Sequence, residues 1–176
     1  MNIPEQKIIL IGAMGAGKTT IGKILSRELN WPYIDNDGEM ARISGMSEEE
    51  LAQLSVPDLH QLEENYLLDI LSRPAPYIAG AAASVVEKPQ MVELLKSVTA
   101  IYLYLPIDQL LMRARIGHSG VGRQALQDED AGKIITERFI RRDPLYRAAS
   151  QMVLDLGNNP EDDATIILNK LNRSSE

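Results

Sequence analysis

The sequence predicts an α/β fold of three layers, with helices on both faces of a five-stranded parallel sheet. Three observations carry this reading. Short apolar runs alternate with amphipathic helical segments along the whole chain. The first run is apolar without a break, as a strand buried on both faces must be. It then passes through a glycine-rich turn straight into a helix, the strand–turn–helix start of a parallel unit.

Each element has its own signal. "KIILIG" (7–12) is the first strand and ends in glycine. "KTTIGKILSREL" (18–29) places Ile21, Ile24, Leu25 and Leu29 at helical spacing. "WPYID" (31–35) is a short second strand. Residues 36–73 carry helical periodicity through Leu51, Leu54, Leu59, Leu62, Tyr66, Leu67 and Ile70. "PYIAG" (76–80) is the third strand, and Pro89 opens the next helix as a first-turn proline. "VTAIYLYLP" (98–106) is the longest strand and stops at Pro106. "IDQLLMRARIG" (107–117) is helical and ends at glycine. "GHSGVGRQALQ" (117–127) has the composition of a mobile loop. Residues 129–150 are mostly helical, with Pro144 near the end, and "QMVLDLG" (151–157) is the fifth strand. Asn159-Pro160, with Glu161, Asp162 and Asp163 next, starts a last helix with an apolar face of Ile166, Ile167, Leu168 and Leu171.

The totals bound the function. The chain's 176 residues suit a single domain, expected over 1–176. Eighteen basic residues against twenty-five acidic ones give a net charge of −7, with no basic stripe, which argues against a nucleic-acid partner. There is no cysteine, hence no disulfide framework or thiolate metal site. No apolar stretch has the length to span a bilayer, and no signal-peptide core is visible, so a cytoplasmic protein with no membrane partner is expected. It is further expected to be a monomer.

The strongest motif is "GAMGAGKT", running Gly12, Ala13, Met14, Gly15, Ala16, Gly17, Lys18, Thr19, with Thr20 next. It fits G-x-x-x-x-G-K-S/T in full. Glycines let the backbone take positive φ and turn its N–H groups onto phosphate oxygens. Lys18 supplies a point charge for the β- and γ-phosphates, and Thr19 a hydroxyl for Mg²⁺. The helix beyond the motif adds its N-terminal N–H groups and its dipole. The motif therefore points to a nucleotide with Mg²⁺.

"DND" (35–37) stands at the end of the second strand. Carboxyl ends of strands line the ligand crevice in open α/β sheets. Two carboxylates one residue apart divide naturally, Asp35 towards the metal and Asp37 towards an acceptor hydroxyl. The alternative for the pair is a solvated turn with an aspartate helix cap.

With these residues in place, the chain resembles shikimate kinases, small P-loop kinases of the nucleoside-monophosphate-kinase type. The resemblance runs through "IILIGAMGAGKTTIGKILSREL", "YIDND", "ISGMSEEELAQLSVPDLHQLEENYL", "GRQAL" and "RRDPLY". It implies a P-loop kinase fold with a lid over 117–127 and substrate-binding helices over 36–73. It implies a transfer of the ATP γ-phosphoryl group to a hydroxyl of a small metabolite. It also implies roles: Lys18 and Thr19 for phosphates and Mg²⁺, Asp35 for Mg²⁺ through water, Asp37 to hold or deprotonate the acceptor hydroxyl. Arg123 would be the lid arginine, Arg142 would face the acceptor, and Arg115 and Pro160 would flank the adenine.

Two departures stand on the acceptor side. The family reads Phe-Arg-x-x-Glu where this chain reads Leu59, His60 and, three residues on, Glu63. Histidine lacks the permanently charged planar fork of arginine. A hydrogen bond to a charged group contributes about 1.5–3 kcal/mol, so a carboxylate ligand would be weakened by about one to two orders of magnitude. The family's Thr-Gly-Gly-Gly is here Gly80-Ala81-Ala82-Ala83. A residue there at positive φ would cost about 1–2 kcal/mol more as alanine than as glycine, so either the backbone path differs or the pocket is reshaped. Gln124 also stands where the family lid has proline, and Arg138 and Arg141 lie close to Arg142 in sequence. The expected function is thus an ATP-dependent, shikimate-kinase-like phosphotransferase with an altered acceptor site formed by Asp37, His60, Glu63, Ala81, Ala82 and Arg142. Alternatives are a shikimate kinase whose carboxylate clamp uses Arg142 with Arg138 or Arg141, and a non-catalytic ATP-binding regulatory module.

Overall fold

The computed structural model describes residues 3–116 and 131–173, with the side chains of Glu48, Arg115 and Ile116 excepted. The first apolar run forms β1 (Lys7–Ile11), and Ile8, Ile9, Leu10 and Ile11 are all fully buried. Its side chains divide by parity: Ile8 and Leu10 enter one core cluster, Ile9 and Ile11 the other. Such a strand belongs in the middle of a sheet covered on both faces. The observed order is β2 (Tyr33–Ile34), β3 (Tyr77–Gly80), β1, β4 (Thr99–Tyr104), β5 (Met152–Asp155), with every adjacent pair parallel. The three-layer expectation therefore holds.

Helices α1 (Lys18–Leu29), α6 (Ile107–Ile116) and α8 (Pro160–Arg173) bring Ile21, Leu25, Leu110, Ile167 and Leu168 to the face carrying Ile8 and Leu10. Helices α4 (Val56–Ser72), α5 (Pro89–Leu95) and α7 (Ala131–Ala149) bring Tyr66, Ile70, Leu95 and Tyr146 to the other face. α7 is fixed to β4 by Tyr146 stacked on Tyr102 at 4.8 Å. The Tyr102 hydroxyl in turn donates to Asp143 at 2.9 Å. Among the described residues no helix is long and apolar enough to cross a membrane.

The helical stretch predicted over 36–73 divides into α2 (Asn36–Ser44), α3 (Glu48–Ala52) and α4. The breaks sit where the chemistry of helix ends puts them. Gly45 ends α2 at φ 70°. Ser47 and Glu50 form a reciprocal capping box on α3, and Ser55 caps α4 ahead of Pro57 in its first turn. The second strand is shorter than the predicted 31–35. Only Tyr33 and Ile34 pair with β3, because the chain turns at once into α2 with Asp35 as its N-cap. The expected loop over 117–127 lies outside the described residues.

Candidate active site

β1 lies between β3 and β4, and β2, β3 and β1 end on one side of the sheet. The segments leaving those three strand ends form a cleft of about 630 Å³. After β1 comes the phosphate loop, with Gly12 at φ 147°, Gly15 at φ 80° and Gly17 at φ 100°. These are left-handed conformations that a side chain resists. Gly12 is tight as well, since a Cβ there would stand 2.8 Å from the Leu103 carbonyl oxygen. Gly15 faces open space, which leaves its backbone approachable.

α1 starts at Lys18 with Gly17 as N-cap and no side-chain cap, and it has no acidic residue in its first turn. Its first N–H groups and the positive end of its dipole are thus offered to an anion. Lys18 Nζ donates to the carbonyls of Gly12 at 2.9 Å and Ala13 at 3.0 Å, so the ammonium is held over the loop. Loop, helix end and lysine together fit a phosphate chain. Met14, Gly15, Gly17, Lys18, Thr19 and Thr20 line the cleft, whereas Ala16 is buried beneath them.

After β2 come Asp35, Asn36 and Asp37, all lining the cleft. Asp35 occupies the N-cap position of α2 but makes no capping hydrogen bond. The helix-cap alternative for this aspartate therefore fails, and the carboxylate suits a metal together with the Thr19 hydroxyl. Asn36 Nδ2 donates to Asp37 Oδ1 at 3.2 Å and orients it. Asn36 Oδ1 is buried without a partner among the described residues. Such an acceptor costs about 1–3 kcal/mol until a donor reaches it. Tyr33 closes the floor: burial pushes its phenol up to about 12, against an opposing hydrogen bond with Thr19.

After β3 comes Gly80-Ala81-Ala82-Ala83, and all four residues line the cleft. The run is tied down at several backbone groups. Ala81 N donates to Leu10 O at 3.0 Å. The buried Tyr66 hydroxyl donates to Gly80 O at 2.8 Å, and Tyr146 to Ala83 O at 2.7 Å. None of the three alanines has a positive φ. The strain that alanine would suffer at such an angle does not arise, and the methyl groups reshape the pocket on an ordinary backbone path. At Gly80 a Cβ would stand 3.0 Å from the Tyr33 hydroxyl, so this glycine is kept for space.

Glu63 on α4 is the cleft's far wall. It accepts a hydrogen bond from the buried Ser84 hydroxyl. Burial raises its carboxyl above the usual range, and the Ser84 bond and Arg142 only partly oppose this. Behind it lies a charged cluster. Glu87 Oε1 accepts from Arg142 Nε at 2.8 Å and from Arg141 Nε and Nη2 at 2.9 and 2.6 Å. Burial would raise the Glu87 carboxyl, but the bonds and charges of Arg142 and Arg141 outweigh it and hold it low. His60 is half-buried next to this cluster; burial lowers its pKa, helped by Arg142 and Arg138 and opposed by Glu87. Its ring is thus neutral near pH 7 and offers one donor.

The structure brings together Met14, Gly15, Gly17, Lys18, Thr19, Thr20, Asp35, Asp37, Glu63, Ala81 and Ala82 in one cleft. His60 and Arg142 stand behind Glu63 rather than in the cleft lining. Arg142, expected to face the acceptor, is buried, and its Nε donates to Glu87. Pro160 opens α8 in an exposed position outside the cleft lining. Arg123 and the side chain of Arg115 lie outside the described residues. Sequence reasoning missed Tyr33, Asn36, Met40 and Arg113. Arg113 Nη1 lies 3.3 Å from Gly15 O, at the limit of a hydrogen bond to the phosphate loop. Its place on α6 two residues before Arg115 was the available signal. Ser84 and Glu87 were also missed, for want of any local motif.

A phosphate loop opening a helix, two strand-end carboxylates and an adjoining polar pocket define an ATP-dependent phosphotransferase that acts on a hydroxyl. The comparisons with known proteins agree. The family model described as "Shikimate kinase" matches residues 14–172. A shikimate kinase of Neisseria gonorrhoeae is 30% identical over 162 residues, covering 92% of this chain and 94% of the relative. One of Nitrosospira multiformis is 31% identical over 151 residues, covering 85% and 76%. Among solved structures, shikimate kinase from Acinetobacter baumannii in complex with shikimate superposes with a TM-score of 0.85 at 27% identity, over 96% of this chain and 94% of that one. A gluconokinase from Sinorhizobium meliloti shares the fold at a TM-score of 0.59 and 15% identity, over 96% of this chain and 92% of that one. The chain belongs to the shikimate kinase family.

Proposed function

We propose that the chain transfers the γ-phosphoryl group of ATP to a hydroxyl of a small hydroxylated acceptor seated against Asp37, Glu63 and Ala81 to Ala83. The observation that carries this is the shared cleft: Lys18 and Thr19 of the phosphate loop line the same space as Asp37 and Glu63. The loop N–H groups and Lys18 bind the phosphates and offset charge on the transferring group. Thr19 and Asp35 would hold Mg²⁺, which would supply counter-charge for the phosphates. Asp37, oriented by Asn36, takes the acceptor proton as the new O–P bond forms and the bond to ADP breaks. The alanine wall and Glu63 position the acceptor.

The A. baumannii neighbour carries shikimate, which makes shikimate the first acceptor to test. The experiment is coupled ADP release with ATP and Mg²⁺ over shikimate, sugar acids and uncharged polyols, with Asp37→Asn as control. ADP release that depends on an acceptor and collapses in Asp37→Asn supports the reading. Tight ATP binding without acceptor-dependent ADP release, at high enzyme, contradicts it and favours a non-catalytic nucleotide module.

A further inference from the structure

Among the described residues, two cations line the cleft, Lys18 and Arg113, and both sit on the phosphate loop. Lys18 Nζ donates to the Gly12 and Ala13 carbonyls, and Arg113 Nη1 lies 3.3 Å from Gly15 O. Three carboxylates line the same space, Asp35, Asp37 and Glu63. A phosphate chain on the loop would take up the cations, and a metal would take up Asp35. Asp37 and Glu63 then remain to face the acceptor. The cations of α7 offer no counterweight. Arg138, Arg141 and Arg142 stand outside the cleft lining, and Arg141 and Arg142 are ion-paired with Glu87 at 2.6 and 2.8 Å. Glu87 thus fills, within the chain, the place that a bound carboxylate would need. Met40 and Ala81 to Ala83 add an apolar surface to the lining. Burial already pushes the Glu63 carboxyl above its usual range, so a further negative charge beside it would be opposed more strongly still.

We infer that the acceptor is an uncharged polyol, whose hydroxyls meet Asp37 and Glu63 and whose C–H surface packs on Met40 and Ala81 to Ala83. A hydroxyl donates to a carboxylate in a charge-assisted bond, which is among the stronger ones. A carboxylate ligand has no proton to donate and would meet two like groups. Glu63 is then the specificity residue of the pocket: it accepts from hydroxyls and turns anions away. This inference rests on the proposed phosphoryl transfer and names the substrate class of that same site.

The test uses acceptor pairs that differ in one charge: gluconate against sorbitol, and shikimate against its methyl ester. ADP release gives kcat/KM for each, and calorimetry with ADP and Mg²⁺ present gives binding. The wild-type protein is expected to favour the uncharged member of both pairs by about 10-fold or more in kcat/KM. Glu63→Gln should bring that preference to within about threefold, and Glu63→Asp should keep most of it. A merely structural role for Glu63 would slow both members alike and leave their ratio unchanged. Equal use of acid and uncharged partner by the wild type overturns the inference, as does preference for the acid in either pair, while phosphoryl transfer stands. An unchanged ratio in a folded Glu63→Gln variant overturns the role given to Glu63. The wild-type ratio decides the substrate class even if the variant does not fold. Absence of turnover with every acceptor overturns the transfer reading and this inference with it.

Discussion

The two ends of the cleft are built from different material. At the phosphate end the ligand-facing groups are mostly backbone: three glycines at positive φ, the first N–H groups of α1, and one lysine folded over its own loop. At the acceptor end they are side chains delivered from α2, α4 and the segment after β3. A backbone cradle depends on a local pattern and tolerates little change, because each glycine answers to a dihedral angle or a contact. A side-chain pocket can be rebuilt by exchanging one residue for another across a gap. His60 and Ala81 to Ala83 are such exchanges, and both fall at the acceptor end.

The sharpest way to separate the two ends is Asp37→Asn. Loss of the proton acceptor should lower kcat by about 10²–10⁴-fold, while nucleotide affinity measured by calorimetry stays within about twofold. A parallel collapse of nucleotide binding would break the division. Gly12→Ala attacks the other end. A Cβ at φ 147° would stand 2.8 Å from the Leu103 carbonyl oxygen. Strain of about 1–2 kcal/mol and overpacking of about 1–3 kcal/mol add up to a fall in Tm of about 5–15 °C. Thermal unfolding checks it, and an unshifted Tm would mean the loop can relax.

Smaller effects come from the ties on the alanine wall. Tyr66→Phe leaves the buried Gly80 carbonyl without its hydroxyl donor, at about 1–3 kcal/mol. Acceptor KM should rise more than ATP KM, and steady-state kinetics in both substrates show which. The smallest is Glu87→Gln. Glu87 is held below its unfolded pKa by Arg142 and Arg141. Its stabilisation is therefore fully present above the unfolded value and is lost as pH falls through the folded one. The Tm gap between wild type and Glu87→Gln should be widest near neutral pH and should narrow from about pH 4.3 downward. A gap independent of pH would mean the ion pairs contribute nothing.

Legibility in the sequence obeys the same division. Glycine spacing, Pro89, and the unbroken apolar runs encode local geometry, so the five strands and the phosphate loop could be read directly. Even the breaks within 36–73 were written locally, in Gly45, the Ser47–Glu50 box and Ser55. The acceptor pocket was not, because Glu63 meets Ser84, and Glu87 meets Arg142, only after the chain has folded back on itself. Neither pairing has a spacing that a helix or strand period would reveal. Asn36 shows the same limit on a small scale: its position between two aspartates was visible, but its bond to Asp37 needed the fold.

Affinity for Mg²⁺–ADP in a variant with Ala81, Ala82 and Ala83 all replaced by glycine tests the division most directly, once a shifted acceptor KM shows that the pocket has changed. The separation of the two ends predicts an ADP Kd within about twofold of wild type. A tenfold loss of ADP affinity in a folded variant would contradict it and would place the alanine run in the nucleotide site.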